Sequence, residues 1–304
     1  MKRIILILPC ILLAFCMDAA TFAGGRLEDR TLRLDYIFSG TDKTCDIALA
    51  HLRRLDGWAG RRVNLDTLPL RGNGQLTMTD KATGDTLYRT SFSTLFQEWQ
   101  ATEEATRVRR SFENVFLVPM PSAPVEIHVQ LFDFHDNIVA SMSHPVEPDD
   151  ILIKPAGGWK SGEGAAAGVD GQSWRVLHHG GSPVEKIDVV ILAEGYTAPE
   201  METFYSDARA AVESLFAHEP FGTMRDNFNI VAVGTPSGES GVSVPREGVW
   251  KETAVGSHFD TFYSDRYLTT PELFRMHDAL SDIPYEHIIV LANTDTYGGG
   301  GIYN

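Results

Sequence analysis

The spacing of apolar residues changes once along the chain, and this change most constrains the fold. From about residue 32 to residue 146, apolar and polar residues alternate, which is typical of β-strands with one buried face. Two pairs of alternating segments are joined by turn residues and form predicted hairpins: residues 75–80 with 85–92, and 125–134 with 138–143. Strands at this spacing predict a β-sandwich domain over residues 24–146. Residues 47–55 and 94–108 are predicted to form short helices.

From residue 187 onward, the sequence alternates strand and helix patterns. Apolar runs predict buried strands at residues 187–193, 228–233 and 287–293. Thr197 and Glu200 have the spacing of a capping box, followed by apolar residues at helical spacing, and Thr269 opens a second helix in the same manner. The strand-helix-strand-loop-helix-strand order predicts an α/β domain over residues 174–304. The predicted fold class is therefore α+β and multidomain, a β-sandwich followed by a partial α/β domain.

The segment between the two patterns has the composition of a linker. Residues 147–173 are rich in glycine and proline, which suits a domain boundary and does not build a core. At the other end of the α/β pattern, the last predicted strand is followed by four glycines close to Asn304. Such a run normally leads into another element, so we expect a further segment after Asn304.

The N-terminus has the features of a secretory signal. Lys2 and Arg3 precede a short apolar run, and residues 21–23 fit a cleavage site, which predicts a signal peptide over residues 1–23. We therefore expect the protein to be secreted, or to reach the periplasm or the cell surface. Lipid attachment at Cys16 is the alternative. The apolar run is too short to predict a membrane span.

The net charge disfavours nucleic-acid partners, and the cysteine content bears on disulfides and on a thiol nucleophile. The formal net charge of −15 argues against nucleic-acid binding, which needs basic patches. Cys45 is the only cysteine that remains after signal cleavage, so no intrachain disulfide is expected. A small structural residue is the favoured interpretation of Cys45 over a nucleophile.

No metal ligand can be assigned from histidine spacing. A helical zinc site needs histidines at positions i and i+4, and none of the ten histidines has such a partner. Gly222 stands where a partner of His218 would be. His178 and His179 are adjacent on a predicted strand, so their side chains point to opposite faces.

Two further motifs resemble reactive sites. Ser240 lies in a Gly-Glu-Ser-Gly segment that is one residue short of a serine-hydrolase elbow, and a turn is the favoured interpretation. The run from Gly298 to Gly301 lacks the Lys and Ser/Thr of a phosphate loop. Close approach to an extended ligand is the better interpretation of these glycines. No catalytic residue is assigned within the chain.

Several segments of the second half resemble, in order, the IgA-peptidase-type zinc metallopeptidases (peptidase family sixty-four of the metallo class). These segments are 188–197 (DVVILAEGYT), 219–221 (EPF), 229–230 (NI), 235–241 (TPSGESG), 265–268 (DRYL) and 293–304 (NTDTYGGGGIYN). The β-rich region before them is more loosely similar to the N-terminal domain of that family. Its members are commonly secreted by Gram-negative bacteria, in agreement with the predicted signal peptide.

The resemblance implies a zincin-like catalytic domain whose zinc-binding His-Glu-x-x-His helix follows the glycine-rich segment. In such enzymes zinc polarises the scissile carbonyl and activates water, while the glutamate acts as general base. No zinc ligand is transferred to a residue of this chain, so zinc is expected only in the full-length parent protein. The resemblance instead implies a strand that pairs with the substrate peptide. The candidate substrate-binding residues are Gly298, Gly299, Gly300, Gly301, Ile302, Tyr303 and Asn304.

The parent protein is accordingly predicted to be a secreted zinc-dependent peptidase acting on protein or glycoprotein substrates, and this chain alone is predicted to be inactive. The alternative is a non-catalytic secreted protein that binds glycans or proteins. A coding sequence that continues beyond Asn304 into His-Glu-x-x-His would favour the peptidase, and a stop codon would favour the binding protein. A third possibility, a serine esterase using Ser240, would need a downstream histidine.

Overall fold

The computed structural model describes residues 21–68, 70–158 and 173–302. Three sequence predictions extend beyond these residues. Positions 1–20 of the predicted signal peptide, positions 159–172 of the predicted linker, and Tyr303 and Asn304 lie outside the described part of the chain.

The N-terminal half is built from strands and one short helix. In chain order these are β1 (Thr21–Phe22), β2 (Leu27–Gly40), β3 (Cys45–Asp56), β4 (Gly74–Asp80), β5 (Thr86–Phe92), α1 (Leu95–Gln100), β6 (Arg110–Pro121), β7 (Val125–Phe132), β8 (Ile138–Val146) and β9 (Lys154–Gly158).

These strands form two sheets that share one core. One sheet has the order β1-β2-β3-β9, with β6 also paired to β2, and the other has the order β5-β4-β7-β8. Both predicted hairpins are present, as β4–β5 and β7–β8. The alternation is clearest in β7, where Val125, Ile127, Val129 and Leu131 are buried in the common core. Side chains from both sheets fill this core, which is the packing of a sandwich.

The predicted helix at residues 47–55 is wrong, because this segment is strand β3. It pairs antiparallel with β2 along its whole length, and the register shifts between Asp35 and Tyr36. The shift leaves one extra residue on β3, Ala50, between Leu49, which pairs with Tyr36, and His51, which pairs with Asp35. Leu49 and Leu52, three residues apart, therefore both pack against the core. A bulge in a strand thus produced the spacing that also indicates a helix.

The other predicted short helix is confirmed. Residues 94–108 contain α1 and a 3₁₀ turn at Glu104–Thr106. The Thr94 hydroxyl accepts a hydrogen bond from the Gln97 N–H and caps α1. Part of the predicted linker also has regular structure, since residues 154–158 form β9, which runs parallel to β3.

The C-terminal half contains the predicted order of strands and helices. The elements are β10 (Ser173–His179), β11 (Ile187–Glu194), α2 (Met201–Phe216), β12 (Phe228–Gly234), α3 (Leu273–Asp278) and β13 (His287–Ala292). They build a sheet of order β10-β12-β11-β13, in which β11 is parallel to both β12 and β13, and β10 is antiparallel to β12. The predicted capping box is present: the Thr197 N–H donates to Glu200 in a 3₁₀ turn that leads into α2.

Two predictions for this half need correction. Strand β13 is the outermost strand of this sheet among the described residues, with His287 and Ile289 exposed, although its apolar sequence predicted a buried strand. Helix α3 has no side-chain cap and ends at Asp278, earlier than the pattern indicated. The hydroxyl of Thr269, which was predicted to open this helix, lies 2.8 Å from the Thr261 hydroxyl instead.

The two halves are packed against each other through α3 and β6. Val115 on β6 belongs to the same buried cluster as Val190 on β11 and Met276 on α3. The Phe274 N–H on α3 donates to the Glu113 carboxylate on β6, over 2.7 Å. No helix of the described residues is long and apolar enough to cross a membrane.

Candidate functional site

The carboxyl ends of β11, β12 and β13 meet at one edge of the C-terminal sheet. In open sheets of parallel strands, ligands bind in the crevice at this edge. Three segments leave it: the turn after Glu194, the long loop after Gly234, and the glycine-rich segment after Ala292. The geometry of these segments defines the candidate site.

Glu194, the last residue of β11, organises the long loop from inside. Its side chain is fully buried, and its two carboxylate oxygens accept hydrogen bonds from the Thr253 hydroxyl (2.6 Å), the Val255 N–H (2.9 Å) and the Ser257 N–H (2.7 Å). Sequence reasoning did not identify this role. The available signal was an acidic residue directly after the apolar run from Val189 to Ala193.

The turn after Glu194 is tightly packed against the same loop. The Ser237 hydroxyl oxygen accepts hydrogen bonds from the N–H groups of Gly195 (3.0 Å) and Ala254 (2.9 Å). Gly195 has a positive φ of 74°, and a Cβ on it would lie 2.5 Å from the Gly241 carbonyl oxygen. Only glycine fits this position, so the turn after Glu194 and the long loop are in close backbone contact.

Ser240 lies at this edge, but its surroundings do not activate it. Its hydroxyl donates to Glu200 Oε1 (2.7 Å) and accepts from the Asn293 amide (3.2 Å). Hydrogen bonds from the Thr197 hydroxyl and N–H, and from Ser240, lower the pKa of Glu200 to about 2. A carboxylate that binds its proton so weakly is a poor general base. The arrangement therefore favours a structural turn over a serine nucleophile.

Three of the histidines have local structural surroundings. His178 Nε2 lies 2.9 Å from the Arg225 carbonyl oxygen, and His218 Nδ1 lies 2.7 Å from the Ser214 carbonyl oxygen. His277 is buried, and burial lowers its pKa to about 3, so it is neutral. Within residues 21–68, 70–158 and 173–302, no group of three or more His, Cys, Asp or Glu side chains could hold a metal ion. These residues do not fit zinc, which needs at least three protein ligands.

The glycine run, defined as Gly298 to Gly301, lies beside residues 266–268. Gly299 forms a parallel bridge with Tyr267. Its N–H donates to the Arg266 carbonyl (2.9 Å), and its carbonyl accepts from the Leu268 N–H (3.3 Å). The Gly299 N–H is thus already used within the chain, which disfavours a phosphate-cradling loop.

A Cβ added to successive glycines of the run would point to opposite faces. A Cβ on Gly298 would lie 2.4 Å from Phe259 Cε1, and a Cβ on Gly300 would lie 2.6 Å from Tyr267 Cε2. A Cβ on Gly299 or Gly301 would meet no atom within 4 Å. Packing against the loop therefore requires glycine at positions 298 and 300, and leaves positions 299 and 301 open.

The second edge of the glycine run has no partner strand among the described residues. In extended chain, the N–H and C=O groups of successive residues point to opposite edges. Because Gly299 uses the edge facing residues 266–268, the backbone groups of Gly298 and Gly300 point the other way. Neither residue makes a backbone hydrogen bond to another described residue there. We call this side the free edge of the glycine run.

The N-terminal half also borders the glycine run. The Tyr267 hydroxyl donates to the Glu98 carboxylate on α1, and the Phe262 ring lies 6.4 Å from the Phe112 ring on β6. Ile302, the last described residue of the chain, is partly exposed beside this junction. Of the seven predicted substrate-binding residues, the structure therefore places Gly298 to Ile302 together, while Tyr303 and Asn304 lie outside the described residues.

Both halves of the chain match models of known protein families. Residues 25–143 match the family model for the peptidase M64 N-terminus, and residues 176–304 match the model for the IgA peptidase M64. No curated protein matches the chain. The two matches lie in the expected order and together take in most of the sequence, so the chain belongs to the IgA peptidase M64 family of metallopeptidases.

Proposed function

We propose that this chain forms the substrate-binding side of a secreted, zinc-dependent and zincin-like peptidase that hydrolyses proteins or glycoproteins. Family membership supports the peptidase class. When bound, zinc would polarise the scissile carbonyl and activate water. The described residues lack a fitting ligand group, so no catalytic step is assigned to them, and the zinc is proposed to be held elsewhere in the parent protein. On this proposal the chain alone has no peptidase activity.

The free edge of the glycine run is the observation that carries the proposal. Extended peptides bind to exposed strand edges through main-chain hydrogen bonds, which recognise any sequence that adopts the extended form. On one edge, Gly299 pairs the run with residues 266–268. The backbone groups of Gly298 and Gly300 point to the other edge. Glycines at positions 299 and 301 leave the adjoining face without side chains, so a peptide can approach closely.

Export is the other part of the proposal. The charged residues Lys2 and Arg3, the short apolar run and the cleavage site near residue 23 support secretion, or delivery to the periplasm or cell surface of a Gram-negative bacterium. Lipid attachment at Cys16 remains the alternative route to the cell surface.

Peptide binding tests the proposed role of the free edge. An unstructured, fluorescein-labelled alanine-rich decapeptide is titrated with the wild-type chain and with two variants, and fluorescence anisotropy is measured. Gly300→Ala should weaken binding about tenfold or more, because the added Cβ displaces the run from Tyr267. Glu202→Ala changes an exposed residue of α2 outside the candidate site and should bind like wild type. Equal affinities of all three proteins would contradict the proposal.

A further inference from the structure

A cavity of about 240 Å³ lies where the two halves of the chain meet, next to the glycine run. We call it the junction cavity. Its lining includes Arg110, Phe112 and Glu113 on β6, Thr270 before α3, and Ile302. Its volume is many times that needed for one water molecule, so a long side chain fits. The sandwich half and the glycine-rich segment thus form the cavity together.

The junction cavity lies within reach of a peptide on the free edge. Ile302 follows Gly300 by two residues, and an extended chain advances about 3.3 Å per residue. The cavity therefore begins about two residues beyond the paired segment, on the side of Thr270 and Pro271. The side chain of a peptide paired with Gly298 and Gly300 would enter it across the open face of Gly301. The cavity has the position of a side-chain subsite for the same peptide.

Glu113 supplies the charge of the cavity. Its carboxylate is half-buried, and Oε2 accepts the hydrogen bond from the Phe274 N–H. Among the described residues it forms no ion pair. Burial raises the pKa of Glu113, and the nearby carboxylates of Glu272 and Asp35 act in the same direction. A half-buried carboxylate without a cationic partner favours the approach of a cation.

The arginines near Glu113 form ion pairs with other carboxylates. Arg33 contacts Asp35 and Asp278, each with a nitrogen-oxygen distance of 2.6 Å. Arg110 lies 3.0 Å from Glu104 and is placed over the ring of Phe112. Neither forms an ion pair with Glu113, although the charge of Arg33 acts to lower its pKa. The cavity therefore has a mixed polar and apolar lining that includes one carboxylate without an ion-pair partner among the described residues.

We propose that the junction cavity is a subsite for a lysine or arginine side chain of the peptide that pairs with the glycine run. The methylene groups of such a side chain would pack on Leu273 and Ile302, and its cationic end would pair with Glu113. This inference rests on the proposed function and names a substrate class for it: peptides with a basic residue near the paired segment. The acidic net charge of the chain would draw such peptides toward it.

Matched peptides test the subsite without any change to the protein. Three fluorescein-labelled alanine-rich decapeptides carry lysine, norleucine or acetyl-lysine at one central position. The lysine peptide should bind the full chain about tenfold more tightly than the other two, because only lysine offers a charge to Glu113. Equal binding of the three peptides would overturn the subsite and leave peptide binding at the free edge intact. Absence of binding by all three would overturn both proposals.

A pair of variants assigns the effect to Glu113. Glu113→Gln keeps an oxygen that can accept the Phe274 N–H while removing the charge, and its thermal unfolding midpoint reports on folding. It should lose the preference for lysine and bind the norleucine peptide as wild type does. Glu103→Gln removes an exposed carboxylate outside the cavity and should retain the preference. A lysine preference that survives in Glu113→Gln would overturn the assignment.

Discussion

The guanidinium of Arg33 on β2 lies 2.6 Å from the carboxylate of Asp278 at the end of α3, although the two residues are 245 positions apart. The same guanidinium donates to Asp35 and to the Phe274 carbonyl. Both Arg33 and Asp35 are fully buried. One arginine of the sandwich therefore links the sheet that carries it to the C-terminal half, and fixes the relative position of the two walls of the junction cavity.

Loss of Arg33 should destabilise the chain strongly. In Arg33→Met, Asp35 stays buried beside Arg53 and His51, and removal of one partner of a buried ion pair costs about 3–5 kcal/mol. Urea denaturation measures the change. Arg30→Met removes a partly exposed arginine of the same strand and should cost under about 1 kcal/mol. Similar losses in both variants would show that the buried network does not hold the halves together.

Replacement of a packed glycine, Gly300, and of an open one, Gly301, should have different effects on amide hydrogen exchange nearby. In Gly300→Ala the new Cβ meets Tyr267, Leu268 and Thr269 within 2.8 Å, so the bridge to residues 266–268 should open. The Leu268 N–H, which donates to Gly299, should then exchange with solvent faster. Gly301→Ala should leave the exchange of this amide unchanged. Hydrogen exchange read at Leu268 makes the comparison, and equal protection in the two variants would contradict the packing argument.

The parts of the fold that depend on local spacing were predicted, and those that depend on distant partners were not. Helix α2 and its Thr197–Glu200 capping box lie within one segment of sequence, and both are confirmed. Strand β3 was missed because its bulge gives Leu49 and Leu52 a helical spacing. Strand β13 has the composition of a central strand, but its outermost place among the described strands depends on which strands pair with it.

The candidate site shows the same limit. The glycine run is visible in the sequence and the structure describes it together with Ile302, while the substrate-binding role of these residues stays a prediction. The contact between Tyr267 and Glu98 joins residues 169 positions apart, and no local pattern indicates it. The three donors to Glu194 likewise come from a loop about 60 residues later. Such contacts are set by the tertiary fold alone.

A buried and a partly buried carboxyl group should make stability depend on pH. Burial raises the pKa of Asp188 to about 6 and that of Glu286 to about 7, and both values exceed the roughly 4 expected in the unfolded chain. The folded protein therefore holds these protons more tightly. The resulting stabilisation is complete below about pH 4 and is lost as the pH rises through 6 and 7.

The variant Asp188→Asn isolates one of these groups. Its amide oxygen can still accept the hydrogen bond from Asn229, while the titration is removed. The wild-type free energy of unfolding should fall between pH 4 and pH 7, with about 2–3 kcal/mol of the fall due to Asp188. The fall should be smaller by that amount in the variant. Denaturation at several pH values gives both curves, and parallel curves would contradict the assignment.

The purified chain should contain no stoichiometric zinc. None of its ten histidines has a partner at i+4, and the described residues contain no group of three potential ligands. Elemental analysis after gel filtration measures the zinc content. One tightly held zinc ion per chain would contradict the prediction, because it would mean that side chains from separate segments assemble a site.

Replacement of Glu194 should loosen the long loop at the candidate site. In Glu194→Ala, the hydroxyl of Thr253 and the N–H groups of Val255 and Ser257 lose their buried acceptor, and each unpaired buried group costs about 1–3 kcal/mol. We expect a loss of at least about 3 kcal/mol in the free energy of unfolding, with faster hydrogen exchange at Val255 and Ser257. Glu202→Ala removes an exposed carboxylate of α2 that pairs with Arg175 and should cost under about 1 kcal/mol.

Peptide binding should also respond to this change. Glu194 is the last residue of β11 and lies next to the segments that carry Ser237 and Asn293, so a loosened loop should weaken binding of the alanine-rich decapeptide. Unchanged exchange at Val255 and Ser257 in Glu194→Ala would show that the loop is ordered without this carboxylate.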